Sequence, residues 1–502
     1  MIDEPTESAA RTPSFHRGIV YTSSGTMLNI AALFIETILA ARVLPEESYG
    51  IYVILIAVVN FLVVVVDFGC KTSVTKMLAS ADKTQQAILA NTTTVFRLLV
   101  ILAISALIWV WKDSLLIFDP DSTYLQYAVF VPLMLATGSF DELFFSMLQG
   151  FKSYGQIGIS QVIRSVLRLG LSFTFLFVLH MGTLGLIYSW IISFGVSSLY
   201  QFLALPMSKG FVLHRPALGE ILRFGAPLQV TRFLWFLLRR VDILLLAAIA
   251  GPTSVAYYSV AARIPDALQR MSEAYIAVYF PTISSMLASG KQKQATLILN
   301  RSVRLISFGT ALGALVSVLF STEIMTLLFS HKYAASALVF GILMLAFHVA
   351  FMINLMGYTM TAAGYPGRSL WANLARIGLN VAGDLALIPY FGAVGAACAG
   401  LVSAYIANPV AIWLTRKGGT LIEVASYSKQ ALLLLAAGGT VLWFQPLHLV
   451  YKAGIIALFV LLNIVLATVS VDDLNLVLPE TMTGRISTFL SRRSGEAVSH
   501  GN

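Results

Sequence analysis

The sequence predicts an all-α polytopic membrane protein of about 14 transmembrane helices, arranged as two pseudo-symmetric six-helix bundles plus two C-terminal helices. Three observations predict this fold: the composition, a regular succession of apolar segments and an internal repeat. Of the 502 residues, 58% are hydrophobic and only 11% are charged, and the mean hydropathy is +0.82. Soluble globular domains carry about 25% charged residues, so this chain is expected to lie in a membrane.

Fourteen apolar segments are long enough to cross the hydrocarbon core of a bilayer, which takes about 20 residues. They lie at residues 18–41, 49–74, 92–110, 124–148, 157–179, 183–205, 222–249, 254–284, 303–319, 334–362, 370–387, 393–414, 428–444 and 453–469. The predicted organisation is a cytoplasmic tail, an N-terminal six-helix bundle, a cytoplasmic linker, a C-terminal six-helix bundle, two additional helices and a cytoplasmic tail. The corresponding residues are 1–17, 18–205, 206–221, 222–416, 428–470 and 471–502.

The positive-inside rule predicts the orientation of these segments. One set of loops and ends carries 15 lysines and arginines, whereas the opposite set carries only four, namely Arg42, Lys112, Lys332 and Lys452. Both termini are therefore predicted to be cytoplasmic. The net charge of +9 then lies largely at one membrane face, near anionic lipid, and no nucleic-acid partner is predicted.

Two sequence motifs recur between equivalent spans. LAARVLP at residues 39–45 returns as LAAIAGP at 246–252, an offset of 207 residues. MGTLGLIYSWIIS at residues 181–193 matches FGAVGAACAGLVS at 391–403, an offset of 210 residues that pairs Gly182 with Gly392. These matches predict two halves of six spans in the same orientation. A substrate path between such halves is typical of transporters.

One segment of the eighth span, ARIPDALQRMSEAY at residues 262–275, carries four ionisable residues. At about 100° per residue, Arg263, Asp266, Arg270 and Glu273 fall within one arc of a helix. A charged side chain at the centre of a bilayer costs about 2.5–3.5 kcal/mol even on lenient insertion scales. These four side chains are therefore predicted to line a protein interior or a water-filled cavity.

Other apolar spans also contain charged side chains. The core set, away from the basic residues near span ends, comprises Arg164, Arg168, Arg232, Arg239, Arg240, Arg376, Glu36, Asp67, Asp242 and Asp384. Together with the eighth span, eight arginines outnumber six acids, which favours an anionic substrate because guanidinium groups match phosphate geometry. Structural ion pairs and snorkelling side chains are the alternative. We favour that alternative for four basic residues near span ends, Lys71, Arg223, Arg301 and Arg304.

The two cysteines, Cys70 and Cys398, both lie in apolar stretches. Their separation has neither disulfide nor metal-ligand spacing, so we interpret them as small packing residues. The sequence predicts no redox chemistry and no metal site.

Five motifs carry a family resemblance. They are ARVLPEESYGIYVI, DFG, RRVDILLLAAIAG, YYSVAARI and FPTIS, at residues 41–54, 67–69, 239–251, 257–264 and 280–284. Through them the chain resembles the multidrug/oligosaccharidyl-lipid/polysaccharide exporter superfamily, specifically its polysaccharide-transporter (Wzx-type) flippase branch. The similarity covers residues 18 to about 414.

The resemblance implies that an undecaprenyl-diphosphate-linked oligosaccharide crosses the bacterial inner membrane by alternating access through a cationic central cavity. It implies no enzymatic activity, no catalytic residue and no cofactor, and an H⁺ or Na⁺ gradient or the membrane potential as the driving force. The expected partners are the polyprenyl-diphosphate-linked glycan, membrane lipid, a polysaccharide polymerase and a chain-length regulator.

The resemblance also implies roles for individual residues. Arg263 and Arg270 are expected to hold the diphosphate, with Arg232 and Arg239 in support. The wider predicted substrate-binding set also includes Arg240, Arg164 and Arg376. The predicted ion-coupling residues are Asp67, Asp266, Glu273, Glu36 and Asp384. Acids beside arginines also balance charge, so that alternative stays open.

Two other functions compete with this one. A lipid II flippase of cell-wall synthesis would share the fold and the carrier lipid, but that pattern has two arginines in the first span, where residues 18–41 offer only Asn29 and Glu36. A membrane polysaccharide polymerase or ligase would act on the same lipid. Such enzymes usually carry a large outer loop, whereas the longest outer loop predicted here is the short stretch 112–121.

Overall fold

The computed structural model describes residues 12–110, 125–417, 424–443, 448–466 and 468, and these contain helices and no strand. The helices are α1 Thr12–Val43, α2 Glu46–Val65, α3 Cys70–Ser80, α4 Lys83–Val110, α5 Leu125–Ala128, α6 Val131–Gly150, α7 Tyr154–Phe173, α8 Thr183–Ala204, α9 Arg215–Ala288, α10 Gln292–Leu319, α11 Ser321–Phe329, α12 Ser336–Ala362, α13 Pro366–Lys417, α14 Val424–Trp443 and α15 Leu449–Val465. A π-helical turn, Thr174–Val178, follows α7, and a 3₁₀ turn, His331–Tyr333, precedes α12.

The helices confirm the predicted succession of spans. Within the described ranges, ten helices are long and apolar enough to cross a membrane. Two of them, in α9 and α13, are interrupted by non-helical backbone at Gly251 and Gly392, so each supplies two segments. With α14 and α15, every predicted span overlaps a helix. The predicted outer loop 112–121, most of the N-terminal tail and the C-terminal tail lie outside the described residues.

The backbone at two glycines reveals the internal repeat. Gly182, which precedes α8, has φ 59° and ψ −135°. Gly392, its predicted equivalent within α13, has φ 53° and ψ −128°. This region of backbone space is nearly closed to residues with a Cβ atom, which explains why both repeats place glycine there.

The second predicted span, residues 49–74, is not one continuous helix. Helix α2 ends at Val65 and α3 begins at Cys70, with Phe68 at φ 48° and Gly69 at φ 75° between them. Gly69 passes so close to the backbone of Gly225 that a Cβ atom on Gly69 would collide with it. A single helix over residues 49–74 would align Asn60, Asp67 and Lys71 along one face. That prediction from helical spacing is wrong, because the turn at Phe68 and Gly69 redirects the chain.

The chain forms two compact units. The first contains Met1–Val260 and Leu328–Tyr333, and the second contains Ala261–Leu327 and Ala334–Asn502. In the first, a buried apolar cluster joins α3, α4, α6 and α7. In the second, a buried cluster joins the last part of α9 to α10, α12 and α13. These units are defined by contacts, whereas the two halves predicted from the sequence, joined by residues 206–221, are defined by the internal repeat. The bounds of those halves remain a prediction.

Two of the basic residues predicted on the outer side cap helix ends within the first unit. Lys332 donates a hydrogen bond to the carbonyl of Arg42 at 3.2 Å and another to that of Leu44, just beyond α1. Arg42 in turn donates through Nε to the carbonyl of Leu328 at 2.9 Å. Burial lowers the pKa of Lys332, and the charge of Glu46 opposes that shift. Both cations thus satisfy carbonyl groups that a helix end leaves open.

We expect Gly182→Ala to lower the free energy of unfolding by about 1–3 kcal/mol, because it forces a side chain into a glycine-only backbone region. Gly392→Ala is expected to lower the free energy of unfolding by a similar amount, for the same reason. The matched control is Gly170→Ala in helix α7, where an added Cβ meets no atom within 4 Å and should stabilise the helix slightly. Thermal unfolding of the purified protein measures the difference. Equal melting temperatures for Gly182→Ala and Gly170→Ala would contradict this account.

Candidate functional site

Asp67 lies at the break between α2 and α3 and is 1% exposed. Arg97, on α4 and also 1% exposed, forms an ion pair with one carboxylate oxygen of Asp67. Arg97 also donates a hydrogen bond to Ser139 at 2.9 Å. Arg232 of α9 approaches the other oxygen, with Nη1 2.6 Å from Oδ2. The buried carboxylate therefore carries one guanidinium group on each oxygen.

The same arginine reaches a second acid nearer the surface. Arg232 forms an ion pair with Glu142 of α6, and Lys71 Nζ lies 2.8 Å from the other oxygen of Glu142. The side chains of Lys71, Arg232 and Glu142 are 36%, 22% and 24% exposed. We name the five residues Asp67, Arg97, Arg232, Glu142 and Lys71 the Asp67 network. Three positive and two negative charges give it a formal charge of +1.

Helix α9 is positioned by the helix break itself. Gln229 accepts a hydrogen bond from the backbone N–H of Gly69 at 2.9 Å and donates one to the carbonyl of Val64 at 2.6 Å. It thereby bridges the end of α2 and the start of α3 through their backbone groups. Arg232 follows Gln229 by three residues, on the same helical face, and so reaches Asp67. The break, the glutamine and the arginine form one local arrangement.

Glu36 and Arg168 form a second, closed pair. Arg168 Nε lies 2.6 Å from Glu36 Oε2, and both side chains are less than 10% exposed. Tyr52 and Ser172 donate hydrogen bonds to Glu36 at 3.3 and 3.1 Å. The guanidinium group of Arg168 also lies 4.9 Å from the ring centre of Trp190. Glu36, a predicted ion-coupling residue, is thus enclosed by protein partners.

Arg164, a predicted substrate-binding residue, pairs with Asp141 of α6. Asp141 also accepts hydrogen bonds from Ser197 at 2.6 Å and from Gln201 at 3.1 Å. The side chains of Arg164 and Asp141 are 12% and 4% exposed. This pair joins α6, α7 and α8 of the first unit.

The arginines after the Asp67 network on α9 are more open. Arg239 is exposed, with its guanidinium carbon 5.7 Å from the ring centre of Trp235, and Arg240 is half-buried. Asp242 accepts a hydrogen bond from Tyr258 at 2.7 Å. All five residues belong to the first unit.

The charged stripe that the sequence predicts in the eighth span lies in the second unit. Arg263, Asp266, Arg270 and Glu273 all lie in the helical part of α9 after Gly251, so the predicted single arc is confirmed. The first three are half-buried and Glu273 is exposed, and each makes polar or electrostatic contacts within the protein.

A further predicted pair lies on α13, also in the second unit. Asp384 is fully buried and accepts a hydrogen bond from Asn380 at 3.0 Å. Ser403 donates to Asn380 at 3.1 Å. Arg376 lies one helical turn before Asn380 and is half-buried. In the repeat, Arg376 and Asn380 correspond to Arg164 and Arg168, so the second unit has an amide where the first has a guanidinium group.

Three charged residues of these clusters were missed by sequence reasoning: Arg97, Asp141 and Glu142. All three lie inside the predicted spans 92–110 and 124–148. The signal that identified the other residues, a charged side chain within an apolar span, was therefore present for them too. Leaving aside Arg223 and Arg304 near span ends, including them changes the count of charged residues from eight arginines and six acids to nine arginines and eight acids. The excess of arginine falls from two to one. Among the described residues, no group of three or more His, Cys, Asp or Glu side chains is arranged to hold a metal ion.

The family described as polysaccharide biosynthesis protein matches residues 15–287, just over half of the chain. The chain belongs to this family. A probable low-salt glycan biosynthesis flippase, Agl15, from Haloferax volcanii is 22% identical over 374 residues, which cover 72% of this chain and 75% of the relative. The predicted resemblance to a polysaccharide-exporter flippase is confirmed.

Solved structures support the fold. A lipid II flippase, MurJ, in an inward closed conformation gives a TM-score of 0.69 at 14% identity, covering 88% of this chain and 98% of that one. An inward-facing multidrug resistance MATE transporter gives 0.64 at 16% identity, covering 80% and 99%. At these identities the likeness concerns the fold alone. Family membership and this fold together identify a multi-pass, all-α membrane protein of polysaccharide biosynthesis.

We expect Arg97→Met to lower the free energy of unfolding by about 3–5 kcal/mol, because it removes one of the two partners of a buried carboxylate. The double variant Arg97→Met/Asp67→Asn should recover part of this loss. Lys452→Met is the matched control, because it breaks an ion pair with Glu323, whose side chain is 58% exposed, and should cost only about 0–1 kcal/mol. Thermal unfolding measures all three. The assignment would be wrong if Arg97→Met were no more destabilising than Lys452→Met.

Proposed function

We propose that this protein is a flippase that carries an undecaprenyl-diphosphate-linked oligosaccharide, the repeat unit of a polysaccharide, across a bacterial inner membrane. It does so by alternating access through a cationic central cavity, with both termini in the cytoplasm. The observation that carries the proposal is the family match over residues 15–287. That range contains six of the seven predicted substrate-binding arginines: Arg164, Arg232, Arg239, Arg240, Arg263 and Arg270. The similarity to the Haloferax volcanii relative, a probable glycan biosynthesis flippase, supports the same proposal.

The chemistry of the carrier lipid explains why arginines are needed. A diphosphate diester is anionic, and its transfer through a low-dielectric interior is unfavourable unless cations accompany it. Arg263 and Arg270 hold the diphosphate in this proposal, and Arg232 and Arg239 support it. All four are at least partly exposed. Arg164 is the least suited of the predicted set, because its ion pair with Asp141 is nearly buried.

The driving force in this proposal is an H⁺ or Na⁺ gradient or the membrane potential, and no cofactor takes part. Of the predicted ion-coupling acids, Glu36, Asp67 and Asp384 are buried among protein partners. Glu273 is exposed and Asp266 is half-buried. Since a coupling ion must enter from water, we assign Asp266 and Glu273 as the candidates for its site. A polysaccharide polymerase and a chain-length regulator act downstream of this step.

The rival is a lipid II flippase, favoured by the TM-score of 0.69 to MurJ. That likeness is one of fold. In α1, the described side chains from Ser24 to Ala41 include no arginine, and Glu36 is occupied by Arg168. Purified protein in proteoliposomes distinguishes the two functions. Transport of an undecaprenyl-diphosphate oligosaccharide but not of lipid II supports our proposal, and the reverse result overturns it.

We expect Arg263→Ala and Arg270→Ala to abolish surface polysaccharide while leaving the amount of protein in the membrane unchanged, because each removes a contact to the diphosphate. Arg→Lys at either position should restore little, since an ammonium group cannot bind phosphate as a planar fork. The control is Lys291→Ala, an exposed lysine in the turn between α9 and α10. Normal export in both single variants and in the double variant would overturn the assignment.

We also expect the charged face of α9 to be accessible to water. Ala277 continues the arc of Arg263 and Arg270, whereas Leu268 lies on the opposite side and packs against the apolar core of the second unit. After Cys70 and Cys398 are replaced by Ser, Ala277→Cys should react with a membrane-impermeant maleimide much faster than Leu268→Cys. If Ala277→Cys stays unreactive with and without substrate, this face is not a substrate path.

A further inference from the structure

We infer that Lys71 and Arg232 form a binding site for the diphosphate of the substrate, and that Glu142 occupies this site until the substrate displaces it. The inference rests on the proposed function for the identity of the anion. It assigns a role to a lysine that the sequence suggests is merely a snorkelling side chain, and to an acid that sequence reasoning missed.

The contacts of Glu142 support a displaceable role. Both of its oxygens bind cations: Lys71 Nζ lies 2.8 Å from one, and Arg232 pairs with the other. Asp141, the preceding residue, differs because two neutral donors, Ser197 and Gln201, also hold it. When Glu142 moves away, Lys71 and Arg232 lose their shared acceptor, and phosphate oxygens can accept the same hydrogen bonds from both. Loss of Asp141 would instead also break hydrogen bonds from two buried neutral donors.

The Asp67 network has a buried part and a partly exposed part, and the charge of the exposed part matches that of a diphosphate. Arg97 and Asp67 are 1% and 2% exposed as side chains and form a neutral pair. In front of them, Lys71, Arg232 and Glu142 carry a formal charge of +1 and are all partly exposed. With Glu142 displaced, two partly exposed positive charges remain on Lys71 and Arg232, which matches one negative charge on each phosphate of a diphosphate diester. Arg232 stays in place because Asp67 still holds its Nη1 atom at 2.6 Å.

The place of the site along the chain fits the start of transport. Lys71 lies in the first turn of α3, which leads to the predicted cytoplasmic turn between Lys76 and Lys83. The ammonium group of Lys76 lies 4.1 Å from the ring centre of Phe224, on the part of α9 that precedes Arg232. The site is therefore near the predicted cytoplasmic end of these helices. A lipid-linked diphosphate in the inner leaflet presents its charge at that depth.

Inorganic pyrophosphate is the probe, and the full-length protein in lipid nanodiscs is the sample. Calorimetry of Glu142→Gln should give at least about tenfold tighter pyrophosphate binding than the wild type, because the probe no longer competes with a carboxylate held by two charge-assisted hydrogen bonds. Adding Lys71→Gln to that variant should abolish the gain. Glu323→Gln, which alters the Lys452 pair in the second unit, should leave the affinity unchanged.

A second measurement uses the wild-type chain and needs no variant to fold. Pyrophosphate should slow acetylation of Lys71 by at least about threefold, because contact with phosphate stabilises the unreactive ammonium form of its side chain. Acetylation of the exposed Lys76, on the same helix, should be unaffected. An unchanged pyrophosphate affinity in Glu142→Gln, or equal effects on the two lysines, would overturn the inference. If glycan transport is nevertheless present, only this inference fails. If Lys71 is protected but proteoliposomes transport no lipid-linked glycan, the proposed function fails and the anion site stands.

Discussion

A buried carboxylate held between two guanidinium groups organises the first unit of this protein. Asp67 binds Arg97 on one oxygen and Arg232 on the other, and it is almost sealed from solvent. Either arginine alone would leave part of a buried charge uncompensated, which costs several kcal/mol. The pair therefore fixes α4 and the early part of α9 against the break between α2 and α3. The helix break, the close approach of Gly69 to Gly225 and the bridging by Gln229 all adjoin this contact in the chain or in space.

The ion pairs in the membrane-spanning helices fall into two groups that differ in how deeply they are buried. The pairs Glu36–Arg168 and Asp141–Arg164 are nearly enclosed, and neutral donors complete their hydrogen bonding. They join helices in an environment where an unpaired charge would be unstable. Lys71, Arg232 and Glu142 of the Asp67 network are instead partly exposed. The enclosed pairs hold the helices together, and in the inference drawn above Lys71 and Arg232 exchange Glu142 for a phosphate-bearing substrate.

The sequence predicted much of the fold and only part of the site. Apolar segment length gave every span, because a helix that crosses a bilayer needs a fixed number of apolar residues. The pairing of Gly182 with Gly392 also holds down to their dihedral angles. Helical periodicity failed at residues 49–74, since a single left-handed residue pair redirects the chain and no apolar pattern records it. For that reason Asn60, Asp67 and Lys71 do not share one helical face, and the partners of Asp67 and Lys71 came from α4, α6 and α9.

By itself, the sequence determined that this chain crosses a membrane many times, that it repeats, and that arginine and carboxylate groups lie within its spans. These properties follow from local composition and spacing. Only the tertiary structure decided which acid neutralises which base, because ion pairs such as Arg232 with Asp67 join residues far apart in the chain. It likewise separated the enclosed pairs from the partly exposed cations Lys71 and Arg232, since exposure depends on how neighbouring helices pack and leaves no trace in residue spacing.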